Sequence, residues 1–317
     1  MKNTTNKIVL IGAGAVGTSF LYSAINQGLA ERYGIIDINE VNSRGQKLDL
    51  EDARPALPRD FEVESGNYEL VSDADLIIIT AGRPQKPGET RLNMVADNAR
   101  IMKQIALQVK SHGFKGVTII ASNPVDIMTT VYQKITGFEP KKVISSSCTL
   151  DTLRLKLELS KIFNVAPTEF GVFVMGEHGD SSVSTFAHGT LKGIPLSKFF
   201  AKHSITQDQI NEIHERVWKK AYEIIDCKHA TFYGIGASLT DISMSILRDE
   251  KRVFATGSLL NGEYDMYGTY AGIPCVIGKE GIVETYEFPL SEQELAKFKK
   301  SVNTLKENTL LALKAIK

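Results

Sequence analysis

The segment that decides the fold is residues 7–17, KIVLIGAGAVG. Its first five residues are mostly apolar, which predicts a short buried strand. Glycines follow with the spacing G-x-G-x-x-G, and residues 16–27 predict a helix that Gly28 ends. A strand, a glycine-rich turn and a helix in this order are typical of the first unit of a dinucleotide-binding sheet.

The three glycines of this segment serve different physical purposes. Gly12 permits a tight turn, Gly14 lets the main chain approach a pyrophosphate, and Gly17 lets the helix pack close to the strand. A chance cluster of turn glycines is the alternative, and Asp37, twenty residues beyond Gly17, argues against it. A carboxylate there accepts hydrogen bonds from ribose hydroxyls and repels a 2′-phosphate, so the sequence predicts NAD rather than NADP as the cofactor.

Strands and helices continue to alternate through the first half of the chain. Buried strands are predicted at residues 32–38, 76–80 and 117–121, and a helix at 95–112. This alternation predicts an α/β fold with a Rossmann-type, doubly wound parallel sheet, which we assign to residues 1–147. We expect the remaining cofactor contacts from the glycine turn and the strand ends, namely Ala13, Ala15, Val16, Thr80, Ala81, Gly82, Asn98, Ser122 and Asn123.

The second half of the chain predicts a mixed α+β domain, which we assign to residues 148–317. Helices are expected at 150–163, 208–227, 237–248 and 292–316. Short strands are expected at 253–260, 264–270, 273–278 and 282–288, separated by turns that contain glycine. We expect this domain to bind the substrate, in a cleft that it forms with the first domain.

The composition argues against several functional classes. A chain of 317 residues suits two domains, and its 37 basic and 37 acidic residues give no net charge, which argues against a nucleic-acid partner. No apolar run approaches the ~20 residues of a membrane span. The three cysteines are far apart and form no C-x-x-C pair, so we expect free thiols, no metal site and a cytoplasmic location.

His178 is the strongest catalytic candidate among the six histidines. It lies between glycines directly after the apolar run 172–175, a position that favours access over packing. Asp151 and Arg154 are three residues apart and share one face of a predicted helix. They form either a surface ion pair or a functional pair, in which Asp151 orients the imidazole and favours its protonated form while Arg154 holds a carboxylate. Asn123 follows a predicted strand and could donate an amide hydrogen bond into the crevice at the sheet edge.

The chain as a whole resembles the L-lactate/malate dehydrogenase family, and more closely its NAD-dependent L-lactate dehydrogenases. Five motifs carry the resemblance in the family's order: GAGAVG at 12–17, QKPGETR at 85–91, NPVD at 123–126, LDTLR at 150–154 and GEHGD at 176–180. The segment ATFYG at 230–234 is also similar to the family.

The resemblance implies a role for each matching residue. His178 resembles the acid–base that protonates the ketone oxygen of pyruvate, and Asp151 its orienting carboxylate. Arg154 resembles the clamp on the substrate carboxylate, and Arg91 the loop arginine that closes over the site and polarises the carbonyl. Asn123 resembles the amide that holds the reacting oxygen, and Thr231 a residue of the pocket wall.

Gln85 separates the closest alternatives. The resemblance implies that malate dehydrogenases have an arginine here, which meets the second carboxylate of oxaloacetate. An uncharged amide would leave that carboxylate desolvated without a cation, so the sequence favours pyruvate and L-lactate. Arg83 could supply the cation if the loop register shifted. Malate dehydrogenase, a broader L-2-hydroxy acid dehydrogenase, an NAD-dependent glycosidase and a non-catalytic NAD sensor remain as alternatives.

The resemblance also implies properties of the assembly and of its regulation. Related enzymes act in glycolysis and fermentation and are usually homotetramers, with dimers as the alternative. Many bacterial ones are activated by fructose 1,6-bisphosphate through an arginine and a histidine. Lys156 and Gly171 stand at those positions here, so we predict weak or absent activation, which strong activation at micromolar effector would refute.

Overall fold

The computed structural model describes residues 6–83 and 91–317, and for residues 91–93 it describes the helix alone. Gln85 and the side chain of Arg91 therefore lie outside the described residues. The first half of the chain alternates strands and helices, as the sequence predicts. Its elements are β1 (Lys7–Ile11), α1 (Ala15–Asn26), β2 (Arg32–Ile36), α2 (Glu40–Ala53), β3 (Glu62–Ser65), β4 (Leu76–Ile79), α3 (Arg91–Ser111), β5 (Val117–Ile120), α4 (Val125–Thr136) and β6 (Val143–Ser145).

These six strands form a parallel array in the order β3-β2-β1-β4-β5-β6. All residues of β1, β4 and β5 are buried, as expected of strands covered on both faces. The chain leaves β1 toward β2 on one side and later returns to β4 on the other. The strand order therefore reverses beside β1, and a crevice forms there at the carboxyl ends of the strands. The predicted Rossmann-type fold is confirmed.

The second half adds helices and short antiparallel strands. Its elements are α5 (Thr149–Phe163), β7 (Phe170–Gly171), β8 (Val174–Met175), β9 (Val183–Ser184), β10 (Thr190–Leu191), β11 (Ile194–Pro195), α6 (Leu196–Lys202), α7 (Gln207–Lys228), α8 (Tyr233–Leu247), β12 (Arg252–Asn261), β13 (Tyr267–Gly278), β14 (Gly281–Thr285) and α9 (Glu292–Lys314). No helix of the described ranges combines the length and apolarity needed to cross a membrane.

The two halves share a sheet and a core. β12 pairs antiparallel with β6 through Gly257 and Ser145, and β13 and β14 continue outward, so nine strands of the described chain form one sheet. The strands β7, β10 and β11 form a second, small sheet, and β8 and β9 a third. One hydrophobic cluster contains residues of both halves. Helix α1 packs against α8 so closely that a Cβ on Gly236 would lie 2.9 Å from the carbonyl carbon of Ser19. The boundary at 147/148 stays a prediction.

The sequence prediction was wrong at β13. Residues 264–270 and 273–278 were expected to be two strands with a glycine turn between them, but residues 267–278 form a single strand. Gly272 lies within that strand, where a Cβ would come within 2.8 Å of Cys148 Sγ and Ser147 Oγ. The glycine is there because another segment passes close to the strand.

Candidate active site

The glycine turn links the ends of β1, β2 and β4 to the start of α1. The N–H of Gly12 donates to the carbonyl of Ile36 at 2.8 Å, and Thr80 Oγ1 donates to the carbonyl of Gly12 at 2.6 Å. Gly12 has a φ of +104°, and a Cβ on Gly17 would lie 2.2 Å from the carbonyl oxygen of Gly12. Both glycines are therefore required by the local packing.

Gly14 differs from its two neighbouring glycines because a Cβ placed on it would meet no described atom within 4 Å. It is the N-cap of α1, and no side chain caps the first-turn N–H groups of that helix. Uncapped N–H groups beside open space at a helix N-terminus suit a pyrophosphate. The turn therefore fits a dinucleotide.

Asp37 is fixed beside the glycine turn by two main-chain contacts. Its Oδ2 accepts a hydrogen bond from the N–H of Ala13 at 2.6 Å, and its Oδ1 accepts one from the N–H of Asn39 at 2.8 Å. Each carboxylate oxygen keeps a lone pair for a ribose hydroxyl. The arrangement fits the adenosine ribose of NAD.

Asn98 joins the ends of two neighbouring strands. Its Oδ1 accepts from the N–H of Arg83 at 2.9 Å, and its Nδ2 donates to the carbonyls of Arg83 at 3.1 Å and Asn123 at 2.8 Å. Ser122 is likewise tied to the β4 end, through the carbonyl of Ala81 at 2.6 Å. The Asn98 amide thus holds the crevice in shape, and its predicted contact with the cofactor stays a prediction.

His178, Asp151 and Arg154 are brought together as the sequence predicts. His178 Nδ1 lies 2.6 Å from Asp151 Oδ2, and Arg154 Nη1 donates to Asp151 Oδ1 at 3.1 Å. The Asp151 and Arg154 side chains are 6% and 7% exposed, whereas that of His178 is 29% exposed. The two α5 residues therefore form a buried pair rather than a surface one, with the imidazole at its accessible end.

The electrostatics of the three groups favour a charged imidazole. The negative charge of Asp151 raises the pKa of His178 above its ordinary value, against the opposing effect of burial. Burial acts to raise the pKa of Asp151, but the charges and hydrogen bonds of His178 and Arg154 hold it below its usual range. Asp151 is therefore ionised, and it stabilises a protonated His178.

Asp126 is a site residue to which sequence reasoning assigned no role. It is 2% exposed, accepts from Ser145 Oγ at 2.7 Å, and accepts from the main-chain N–H of His178 at 3.4 Å. Burial raises the pKa of its carboxyl to about 6. The NPVD motif contained it, but its contact with His178 joins residues 52 apart.

Asn123 lies three residues before Asp126, and Thr231 lies in the segment that leads into α8. Asn123 is exposed, and its bond to Pro124 is cis. Thr231 is half-buried two residues before α8, where a Cβ on Gly234 would lie 3.0 Å from Leu150, the neighbour of Asp151. Their predicted contacts with a substrate stay predictions.

Arg83 has an acidic partner. Its Nε and Nη2 both donate to Asp97 Oδ2, at 2.9 Å and 2.6 Å, and its side chain is 20% exposed. The guanidinium is therefore held by α3, on a carboxylate whose other oxygen accepts from Arg100 Nη1 at 2.7 Å. This arrangement argues against Arg83 as the cation for a second substrate carboxylate.

Both halves of the chain match models of one protein family. The model described as the lactate/malate dehydrogenase NAD-binding domain matches residues 6–145, and that of the α/β C-terminal domain matches 148–315. The chain belongs to the lactate/malate dehydrogenase family. As a member of the lactate/malate dehydrogenase family it is an NAD-dependent oxidoreductase, and the predicted family, enzyme class and cofactor are confirmed.

Several members of the lactate/malate dehydrogenase family are similar to this protein over nearly the whole length of its chain. The L-lactate dehydrogenase of Mesoplasma florum is 50% identical over 316 residues, which cover 100% of both chains. That of Mycoplasma capricolum is 51% identical and covers 96% of each chain. The crystal structure of the minor L-lactate dehydrogenase of Enterococcus mundtii in its ligand-bound form superposes with a TM-score of 0.94 at 39% identity, covering 96% of this chain and 98% of that one.

Proposed function

We propose that this chain is an L-lactate dehydrogenase that interconverts pyruvate and L-lactate with NAD(H). The observation that carries the proposal is the buried Asp151, which holds both His178 and Arg154. The similarity of the chain, at 50% and 47% identity, to two proteins named L-lactate dehydrogenase supports the same activity. NADH, when bound, supplies the hydride to the ketone carbon.

The chain's own residues manage the carboxylate and the proton of the substrate. Arg154 presents guanidinium N–H groups to the pyruvate carboxylate, because one of its faces is already fixed by Asp151. His178 donates the proton that the ketone oxygen gains as it is reduced, and it takes the proton back when lactate is oxidised. Asp151 stabilises the charged imidazole that pyruvate reduction requires.

The remaining proposed contacts surround the reacting oxygen and the methyl group. We assign Asn123 to an amide hydrogen bond to that oxygen, Arg91 to stabilisation of its developing charge, and Thr231 to the pocket wall. We assign to Gln85 the selection against a second carboxylate, because an uncharged amide offers that carboxylate no cation. The pairing of Arg83 with Asp97 supports this preference for a monocarboxylate.

A spectrophotometric panel tests the activity. Pyruvate, oxaloacetate and branched 2-oxo acids are each mixed with NADH or NADPH, and the loss of absorbance of the reduced cofactor is followed. We expect pyruvate with NADH to give the highest kcat/KM. A preference for oxaloacetate would indicate a malate dehydrogenase, similar rates with several acids would indicate a broader enzyme, and no turnover would favour a cofactor sensor.

A variant links the activity to the histidine. His178→Asn removes the proton donor and should lower kcat for pyruvate reduction by about 10²- to 10⁴-fold. His112→Asn, at a half-buried position one residue beyond α3, is the control and should keep the wild-type rate. Equal rates for both variants would remove His178 from the mechanism.

The assembly and location remain proposals as well. We propose a homotetramer in the cytoplasm, with a role in glycolysis and fermentation. The free Cys148, Cys227 and Cys275 suit a reducing compartment. Sedimentation equilibrium would distinguish a tetramer from a dimer.

A further inference from the structure

The main chain that carries His178 is held by three elements remote from it in sequence. Three consecutive peptide N–H groups, at positions 176–178, each donate to a different element. These bonds run from Gly176 to the carbonyl of Gly272 on β13 at 2.9 Å, from Glu177 to Ser301 Oγ on α9 at 2.9 Å, and from His178 to Asp126 Oδ2 on α4 at 3.4 Å.

Ser301 has the most restricted surroundings of the three acceptors. Its side chain is fully buried, and its hydroxyl also shares a hydrogen bond with Ser181 Oγ at 2.9 Å. A Cβ on Gly176 would lie 2.6 Å from Ser301 Oγ. The hydroxyl therefore occupies the space that the missing side chain of Gly176 leaves. It contacts the loop that carries His178, residues 176–181, at positions 176, 177 and 181.

We propose that Ser301 is a positioning residue for proton transfer by His178, acting through the N–H of Glu177. The proposal rests on the proposed function for the role of His178. It assigns part of the catalytic geometry to the C-terminal helix, 124 residues from the loop that the helix holds.

The Gly176–Glu177 peptide unit, whose N–H donates to Ser301, helps to set the course of the main chain into His178 and with it the direction of the imidazole. Without its acceptor on α9, the buried N–H of Glu177 must move to find another partner. The imidazole then moves relative to Asp151, and a bond of 2.6 Å has little tolerance for displacement. Small misplacements of a reacting group can cost up to about a hundredfold in rate.

Loss of this positioning should also change the titration of His178. Within the described residues, the charged and titratable groups that act on the pKa of the imidazole are Asp151 and Arg154 from α5 and Asp126 from α4. Asp151 contributes most to the raised pKa of His178. A looser contact with Asp151 should therefore lower that pKa toward its ordinary value.

The test compares two hydroxyl deletions on the same helix. Ser301→Ala removes the acceptor. Thr309→Val, two turns further along α9, removes a buried hydroxyl for which the described chain provides no partner. We expect Ser301→Ala to lower kcat for pyruvate reduction by about tenfold with KM changed less than twofold, and Thr309→Val to leave both unchanged.

An NMR titration provides a readout that a purely structural role would not move. The imidazole signal of His178, assigned with the His178→Asn variant, should titrate at lower pH in Ser301→Ala and at the wild-type pH in Thr309→Val. This measurement needs no turnover, so it tests the positioning of His178 by Ser301 even if the enzyme reduces no 2-oxo acid. If Ser301→Ala does not fold, Ser301→Cys fills the space with a slightly larger group that is a weaker acceptor, and it should shift kcat and the titration less, in the same direction.

Two results would overturn the proposal. The first is a Ser301→Ala enzyme with the kcat and imidazole titration of Thr309→Val. The second is a loss of thermal stability and of kcat without any shift of the titration, which would make Ser301 a packing residue only.

Discussion

Asp151 serves two partners with one carboxylate. One oxygen lies 2.6 Å from His178 Nδ1 and the other 3.1 Å from Arg154 Nη1. The same charge therefore fixes the proton donor and the group proposed to bind the substrate carboxylate. Because the carboxylate is almost fully buried, water screens both contacts less than it would screen a surface pair.

Replacing Asp151 by Asn should change both rate and pH dependence. Pyruvate reduction needs protonated His178, and Asp151 is the main cause of its raised pKa. The amide removes that charge, so the pKa of His178 falls and reduction is lost at lower pH than in the wild type. We expect kcat near neutral pH to fall roughly a hundredfold.

Rates of reduction measured across pH check this expectation. Glu158→Gln is the matched control, since Glu158 is an ionic, mostly buried carboxylate on the same helix that pairs with Lys161. It should leave the pH profile in place. An Asp151→Asn profile that coincides with that of the wild type would contradict the role of the carboxylate.

Gln85→Arg should shift substrate preference toward oxaloacetate. The new cation would compensate the second carboxylate, so the ratio of kcat/KM for oxaloacetate over pyruvate should rise by roughly tenfold or more. Gln85→Met, similar in length and uncharged, is the control and should not raise this ratio. Steady-state kinetics with unchanged discrimination in the arginine variant would exclude Gln85 as the selecting residue.

At the residue scale, the sequence predicted those site residues whose signal is local. Asp151 and Arg154 share a helix face, and His178 stands between glycines after an apolar run. Asp126 and Ser301 have no such signal, because their contacts with residues 177 and 178 depend on the packing of α4 and α9. Only the folded chain shows them.

At the element scale, the spacing of apolar residues predicted a helix only where its buried residues form an apolar stripe. α2 was not predicted, because Ser43 is its one buried residue and it therefore has no apolar stripe. α4 was missed because Asp126, Thr129 and Thr130 are buried but polar, so its buried side is not an apolar stripe. The strand, turn and helix of residues 7–27 were predicted because the glycines themselves mark the turn.

Two glycines of the turn should affect different properties when they are replaced: Gly17 the stability of the fold and Gly14 the binding of NADH. Gly17→Ala would bring a Cβ to 2.2 Å from the carbonyl oxygen of Gly12, so it should lower the free energy of unfolding by about 1–3 kcal/mol. Gly14→Ala meets no described atom within 4 Å, so the fold should stay intact. Its methyl group would occupy the space of the pyrophosphate and weaken NADH binding by roughly tenfold or more.

Calorimetry and a fluorescence titration with NADH check the two glycine variants. Each variant is the control for the other, because both add one methyl group to the same turn. A Gly14→Ala protein that binds NADH as the wild type does would contradict the placement of the pyrophosphate.

At the scale of the whole molecule, the two family domains are continuous in structure. β12 extends the sheet from β6, and one apolar cluster spans both halves. The sequence predicted two architectures but not this continuity, since strand pairing between distant segments leaves no local pattern. The largest sheet therefore belongs to neither half alone.

This continuity predicts a single unfolding transition. Because the halves share a sheet and a core, neither should remain folded when the other unfolds. Differential scanning calorimetry should show one peak, and scans at two protein concentrations distinguish subunit dissociation from domain unfolding. Two resolved peaks that do not depend on concentration would show that the halves are energetically independent.

The contact at Gly236 has a mechanical consequence. Two helices that touch backbone to backbone cannot slide past one another, and here one starts at the cofactor turn while the other starts just after Thr231. A tilt of α1 should therefore move α8 as well. A bulky side chain at position 236 would push the two helices apart and would disturb both the glycine turn and the segment that contains Thr231.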